Sequence, residues 1–109
     1  QLAAFLLSLE APGSQEQEQV VYLTAVGGAP FVDYLAGFLR QAAAVRLPGL
    51  VIACMDQEAY ARCEAEALKY GGGRVFCAAQ LEGHVVLVKH ALIPVLLSAG
   101  VDTVWIDFD

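Results

Sequence analysis

Basic residues are scarce in this 109-residue chain, which carries six Lys and Arg against twelve Asp and Glu and a formal net charge of −6. This deficit argues against non-specific binding to nucleic acid, because such binding depends on basic patches. It also means that an anionic ligand would need a metal ion as counter-charge. Long apolar runs are missing too: polar residues interrupt every one well short of the ~18 residues that a membrane span requires. The first nine residues lack the basic flank and cleavage site of a secretion signal.

Several catalytic motifs are absent. Without Gly-x-Gly-x-x-Gly, a Walker lysine or Gly-x-Ser-x-Gly, the sequence predicts neither a dinucleotide site, nor a P-loop, nor a serine hydrolase. Gly27 and Gly28 follow an apolar stretch and either expose the strand edge to a flat base or simply make a turn, which we favour. His84 and His90 are not spaced as a facing pair, so a zinc site is not expected.

The three cysteines are odd in number and follow no metal-ligand spacing. Because their neighbours are apolar, we expect Cys54, Cys63 and Cys77 to be ordinary buried thiols. They do not indicate a redox compartment.

Apolar residues make up 58% of the chain, which suits strands covered on both sides. The pattern alternates between strand and helix, which predicts an α/β fold: a three-layer, mostly parallel sheet of four strands with helices on both faces. Residues 1–19 are expected to form a helix and a polar linker, and residues 20–109 a β-α-β-α-β-α-β half domain. The predicted strands are 20–26, 50–54, 75–79 and 101–106. The predicted helices are 1–10, 30–45, the stretch after Asp56 to Tyr70, and 85–98 with a kink at Pro94.

The last strand is β-branched and aromatic, and we expect it to be buried. It runs into Asp107 and Asp109 at its carboxyl end, where parallel sheets bind ligands. Two such carboxylates can share a hard divalent cation that also binds phosphate oxygens, or they can simply decorate the strand end and a turn. Because the chain stops on this edge, we expect it to be a fragment of a longer protein.

Two further charged residues are candidate ligand contacts. Lys89 lies in a predicted helix that is otherwise largely apolar. Its side chain either extends to solvent or points to a phosphate, a sugar or an Asp. Asp56 follows the second predicted strand, where it either caps the next helix, which we favour, or contacts a ligand.

Three stretches together resemble the nucleotide-diphospho-sugar transferase family, glycosyltransferases of GT-A fold that include plant and algal xylosyl- and arabinosyltransferases. The stretches are Val20–Ala25, Leu50–Cys63, and Lys89 followed by Leu96–Asp109. Their order and spacing extend the resemblance over nearly the whole chain.

The resemblance implies a Golgi enzyme that transfers a sugar, with retention, from a nucleotide-diphospho-sugar donor to a glycan or glycoprotein acceptor. It implies that Asp107 and Asp109 bind Mn²⁺ (or Mg²⁺), that Thr24, Ala25 and Val26 line the base, and that Lys89 lies near the donor. The acceptor half of such enzymes is missing, so no catalytic residue can be named and the fragment alone should be inactive.

Two alternatives remain open. Haloacid-dehalogenase-like phosphatases also carry Asp-x-Asp after an apolar strand, with the first Asp as nucleophile, but there the motif follows the first strand. The other alternative is a non-catalytic, flavodoxin-like binding domain.

Overall fold

Four parallel strands form the centre of the part of the chain that the structure describes. The structure is a computed structural model that describes residues 2, 4–5, 20–28, 31–79, 93–97 and 102–106. The strands are β1 Val20–Val26, β2 Leu50–Cys54, β3 Val75–Ala78 and β4 Asp102–Trp105. A 3-10 turn at Phe31–Tyr34 leads into helix α1, Leu35–Ala44, and helix α2 spans Gln57–Tyr70. Residues 93–97 and residues 2, 4 and 5 are also helical.

The strand order is β3-β2-β1-β4, and all pairs are parallel. The chain therefore moves from β1 outward through β2 to β3 and then returns to the other side of β1. Among the described strands this is the order 3-2-1-4 of one class of doubly wound sheets, and it differs from the 2-1-3 order of flavodoxin-like sheets.

Each face of the sheet has its own apolar core. On one face α1 and α2 cover side chains of β1 and β2, including Val26 and Ile52. On the other face Val21, Leu23 and Val51 pack with Leu96 of the helical segment 93–97, and with Leu2 and Phe5. The predicted α/β fold, a mostly parallel sheet between two helical layers, is confirmed.

The expectation that the last strand is buried is wrong for its described part. Asp102 and Val104 are exposed, and Thr103 and Trp105 are half-buried. In the described part of the chain β4 lies at the end of the strand order, with β1 as its neighbour. Composition predicted a strand there, but β-branched and aromatic residues suit edge and central strands alike.

The cysteine prediction is wrong for two residues of three. Cys63 of α2 and Cys77 of β3 form a disulfide with their Cα atoms 6.0 Å apart. Cys54 is the buried thiol that was expected. Cys63 and Cys77 come together because α2 packs on the sheet beside β3. Their spacing along the chain therefore does not reveal the pair.

Two predicted helices are described only in part. Residues 93–97, which include Pro94, are helical, but residues 85–92 of the predicted helix lie outside the described residues, and the kink stays a prediction. Within the parts of the chain that are described, no helix has the length and apolarity to cross a membrane.

Candidate functional site

The carboxyl ends of β1 and β4 meet where the chain reverses direction across the sheet. Leu23 pairs with Trp105, and the Ile106 N–H donates to the Leu23 carbonyl at 2.9 Å, which extends this pairing. Open α/β sheets bind ligands in the crevice outside such a switch point, because the two flanking connections leave it in opposite directions. This edge of the sheet is therefore the candidate binding site.

The loop after β1 is held tightly against β2. The Met55 N–H donates to the Val26 carbonyl at 2.8 Å. A Cβ at Gly27 would lie 2.6 Å from the Met55 Cβ, closer than real Cβ contacts come. Gly28 has φ +78°, which side-chain-bearing residues adopt at a cost. The two glycines are thus explained by the turn that we favoured, and their backbone lies at the edge where a ligand would approach.

Asp56 links this loop to helix α2. Its Oδ1 accepts the Ala59 N–H at 2.7 Å, which confirms the predicted N-cap. Its Oδ2 accepts the Gly28 N–H at 2.8 Å. The Ala59 N–H, followed by that of Gly28, lowers the pKa of Asp56, because both hydrogen bonds favour the ionised carboxylate. A ligand at Asp56 would have to share carboxylate oxygens that already accept backbone N–H groups.

Of the residues expected to line a base, Thr24 and Val26 are covered. Thr24 is fully buried with its Oγ1 lacking a hydrogen-bond partner, and Val26 is 3% exposed in the core beneath the helices. Ala25 points to the other face and is 9% exposed. Ala25 is therefore also buried, although it is the most exposed of the three side chains.

A small apolar platform surrounds Ala25. Ala25 is in register with Ala53 of β2, and the half-buried Met55 and Trp105 pack against this pair. Ala25 is 9% exposed and Ala53 is fully buried, so the surface that this cluster can offer to a flat ring is that of the half-buried Met55 and Trp105. Sequence reasoning missed Ala53, Met55 and Trp105. Strand periodicity contained the signal, since register places Ala25 and Trp105 on the same face.

Cys54 is a poor candidate nucleophile. It is completely buried, and its Sγ donates to the Ile52 carbonyl at 3.6 Å. Burial, reinforced by the negative charges of Glu64 and Asp56, raises the pKa of the thiol to about 12. The thiolate that nucleophilic chemistry requires is therefore not populated near neutral pH.

Three predicted site residues, Lys89, Asp107 and Asp109, lie outside the described residues. Among the residues that are described, no group of three or more His, Cys, Asp or Glu is arranged to hold a metal. Asp56, the carboxylate at this edge, already accepts two backbone N–H groups. The fit of a Mn²⁺ ion therefore depends on Asp107 and Asp109, whose oxygen ligands have the right chemistry for it.

No protein-family model, curated protein or solved structure matches the chain. The resemblance to nucleotide-diphospho-sugar transferases thus stays a prediction from the sequence.

Proposed function

We propose that this chain is the donor-binding half of a retaining glycosyltransferase that uses a nucleotide-diphospho-sugar. The observation that carries the proposal is the pairing of β4 with β1: the strand that runs into Asp107 lies beside the strand that runs into Gly27. The Asp-x-Asp motif, proposed to bind metal and phosphate, and the glycine backbone after β1 then belong to the same switch point. Sheets of this strand order bind nucleotides there.

In this proposal different residues of the chain bind different parts of the donor. The base packs against Trp105 and Met55 at the end of the Ala25 and Ala53 pair, beside the backbone of Gly27 and Gly28. The diphosphate lies toward Asp107 and Asp109, and Lys89 contributes a positive charge near it.

A cation is needed because the chain is acidic. With a net charge of −6, the protein repels a diphosphate unless a positive ion stands between them. When bound by Asp107 and Asp109, Mn²⁺ supplies Lewis-acid stabilisation of the diphosphate leaving group. The acceptor in this proposal is a glycan or glycoprotein.

Binding of nucleotide sugars tests the proposal. Titration calorimetry with uridine and guanosine diphosphate sugars should detect binding in Mn²⁺ that is lost when EDTA removes the metal. Asp107→Ala should weaken binding by about tenfold or more, because it removes a direct metal ligand. Asp102→Ala is the matched control, since it removes the same charge from the exposed amino end of the same strand. It should change the affinity less than about twofold.

The platform is tested by a second pair of variants. Trp105→Ala should weaken binding of the free nucleoside diphosphate, whereas Trp105→Phe retains an aromatic face and most of the affinity. Binding that is equal in Mn²⁺ and EDTA, or that is unaffected by Asp107→Ala, would contradict the proposal and favour a non-catalytic binding domain.

A further inference from the structure

A cavity lies at the edge of the sheet opposite the candidate donor site, where β2 and β3 begin. It has a volume of about 410 Å³ and is formed where α1 and α2 end and where β2 and β3 begin. Leu50, Val75 and Ala42 contribute apolar surface, and the ring of Tyr70 lines one side. The volume falls in the range of small-molecule sites.

Two arginines give this cavity a positive charge in an acidic protein. Arg46 and Arg74, two of the six basic residues of the chain, both line it. Its described lining includes no Asp or Glu. Arg74 is held in place because one guanidinium nitrogen donates to the Pro48 carbonyl at 3.0 Å, and a guanidinium has further N–H donors for a ligand.

Arg46 occupies a backbone position that normally belongs to glycine. Helix α1 ends in a Schellman motif, in which the Arg46 N–H donates to the Ala43 carbonyl and the Leu47 N–H to the Ala42 carbonyl. The motif places Arg46 at φ +58°, in the left-handed region. A residue with a Cβ is strained there by roughly 1 kcal/mol relative to glycine. An arginine in this position therefore lowers the stability of the fold relative to glycine, and folding alone does not explain its presence.

The ends of the two helices do not oppose a negative ligand as strongly as bare carbonyls would. The Schellman bonds satisfy the carbonyls of Ala42 and Ala43, and the Gly71 N–H donates to the Ala67 carbonyl at 2.8 Å. The charged side chains of the described lining are the two guanidinium groups.

We propose that this cavity binds a small organic oxyanion, a phosphate monoester carried on a flat apolar group. The two guanidinium groups bind the phosphate oxygens, a geometry for which arginine is suited. The apolar group packs against Tyr70 and Val75. The site lies at the edge of the sheet remote from the proposed donor site and does not depend on it.

Phenyl phosphate, inorganic phosphate and phenol are suitable probes, tested by amide chemical-shift titration of the full chain. Phenyl phosphate should shift the amides of residues 46–47 and 70–75 and should bind more tightly than either of its parts. Equal affinity for inorganic phosphate would overturn the apolar half of the proposal, and equal affinity for phenol would overturn the oxyanion half.

Arg46→Gly is the decisive variant, because glycine suits the positive φ and the fold should be retained or stabilised. It should weaken phenyl phosphate binding about three- to fivefold, as should Arg74→Gln, which removes the other cation. Arg40→Ala removes the same charge from an exposed position of α1 outside the cavity and should have little effect. No saturable binding, or an equal loss in all three variants, would overturn the proposal.

Discussion

The Asp56 carboxylate accepts the backbone N–H of Gly28, a residue 28 positions earlier in the chain, at 2.8 Å. The same carboxylate caps α2 through Ala59. One side chain therefore fixes the loop after β1 to the first turn of the helix after β2. Since both loops lie at the carboxyl edge of the sheet, this bond sets the shape of the candidate donor site.

Replacing Asp56 separates its two tasks. Asp56→Ala removes both hydrogen bonds and should lower the free energy of unfolding by about 1–2 kcal/mol. Asp56→Asn is the matched variant, because its amide oxygen can still cap Ala59 while its NH₂ group cannot accept the Gly28 N–H. It should lose less stability than Asp56→Ala in urea unfolding. Equal losses would show that the cap on Ala59 contributes nothing and that the bridge to Gly28 accounts for the whole effect.

Stability should also depend on the ionisation of Asp56. Its pKa is lowered in the folded state, so its ionised form contributes stability that is fully present above the unfolded pKa of about 3.9. That contribution is lost as the pH falls through the folded pKa. The stability difference between the wild type and Asp56→Asn should be constant from pH 5 to 7 and shrink below pH ~4. A difference that is independent of pH down to strong acid would contradict this assignment.

The disulfide between Cys63 and Cys77 should stabilise the fold. It closes a loop of sequence separation 14, for which restriction of the unfolded chain is worth about 3 kcal/mol. Reducing agent should therefore lower the unfolding midpoint of the wild type. The double variant Cys63→Ala, Cys77→Ala serves as control, since its midpoint should not respond to reductant. If the wild type does not respond either, the bond is absent in solution.

The two glycines after β1 should differ in their tolerance of a side chain. Gly27→Ala places a Cβ 2.6 Å from that of Met55, and the loop must shift to accept it. Gly28→Ala meets open space, so it costs only the strain of a positive φ, roughly 1 kcal/mol. Thermal unfolding should show a larger loss for Gly27→Ala. The reverse order would mean that the loop and β2 are not in contact.

Strand and helix positions were predictable where local pattern and packing agree. The apolar runs at Val20–Val26 and Leu50–Cys54 are strands with the predicted bounds. Asp56 was recognised as a cap because capping depends on residues three apart in the chain. Likewise, the alternation of elements was enough to predict a parallel sheet.

The features that the sequence did not predict are set by contacts between residues that are distant in the chain. The exposure of Val104 follows from the place of β4 in the strand order, which no local pattern contains. The pairing of Cys63 with Cys77 follows from how α2 lies on β3. The platform around Ala25 needed the register of β1 with β2 and β4, and Arg46 gave no sign that it would adopt a glycine conformation.

The parallel pairing of β1 with β4 has a consequence for how the protein is made. Val20 lies opposite Asp102, so one side of β1 has no partner strand until synthesis has passed β4, some 80 residues later. β2 and β3 join early, but the last strand closes the largest loop in the sheet, and such distant pairings form slowly. During that interval the nascent chain exposes an unpaired edge of β1, the kind of surface on which chains pair wrongly.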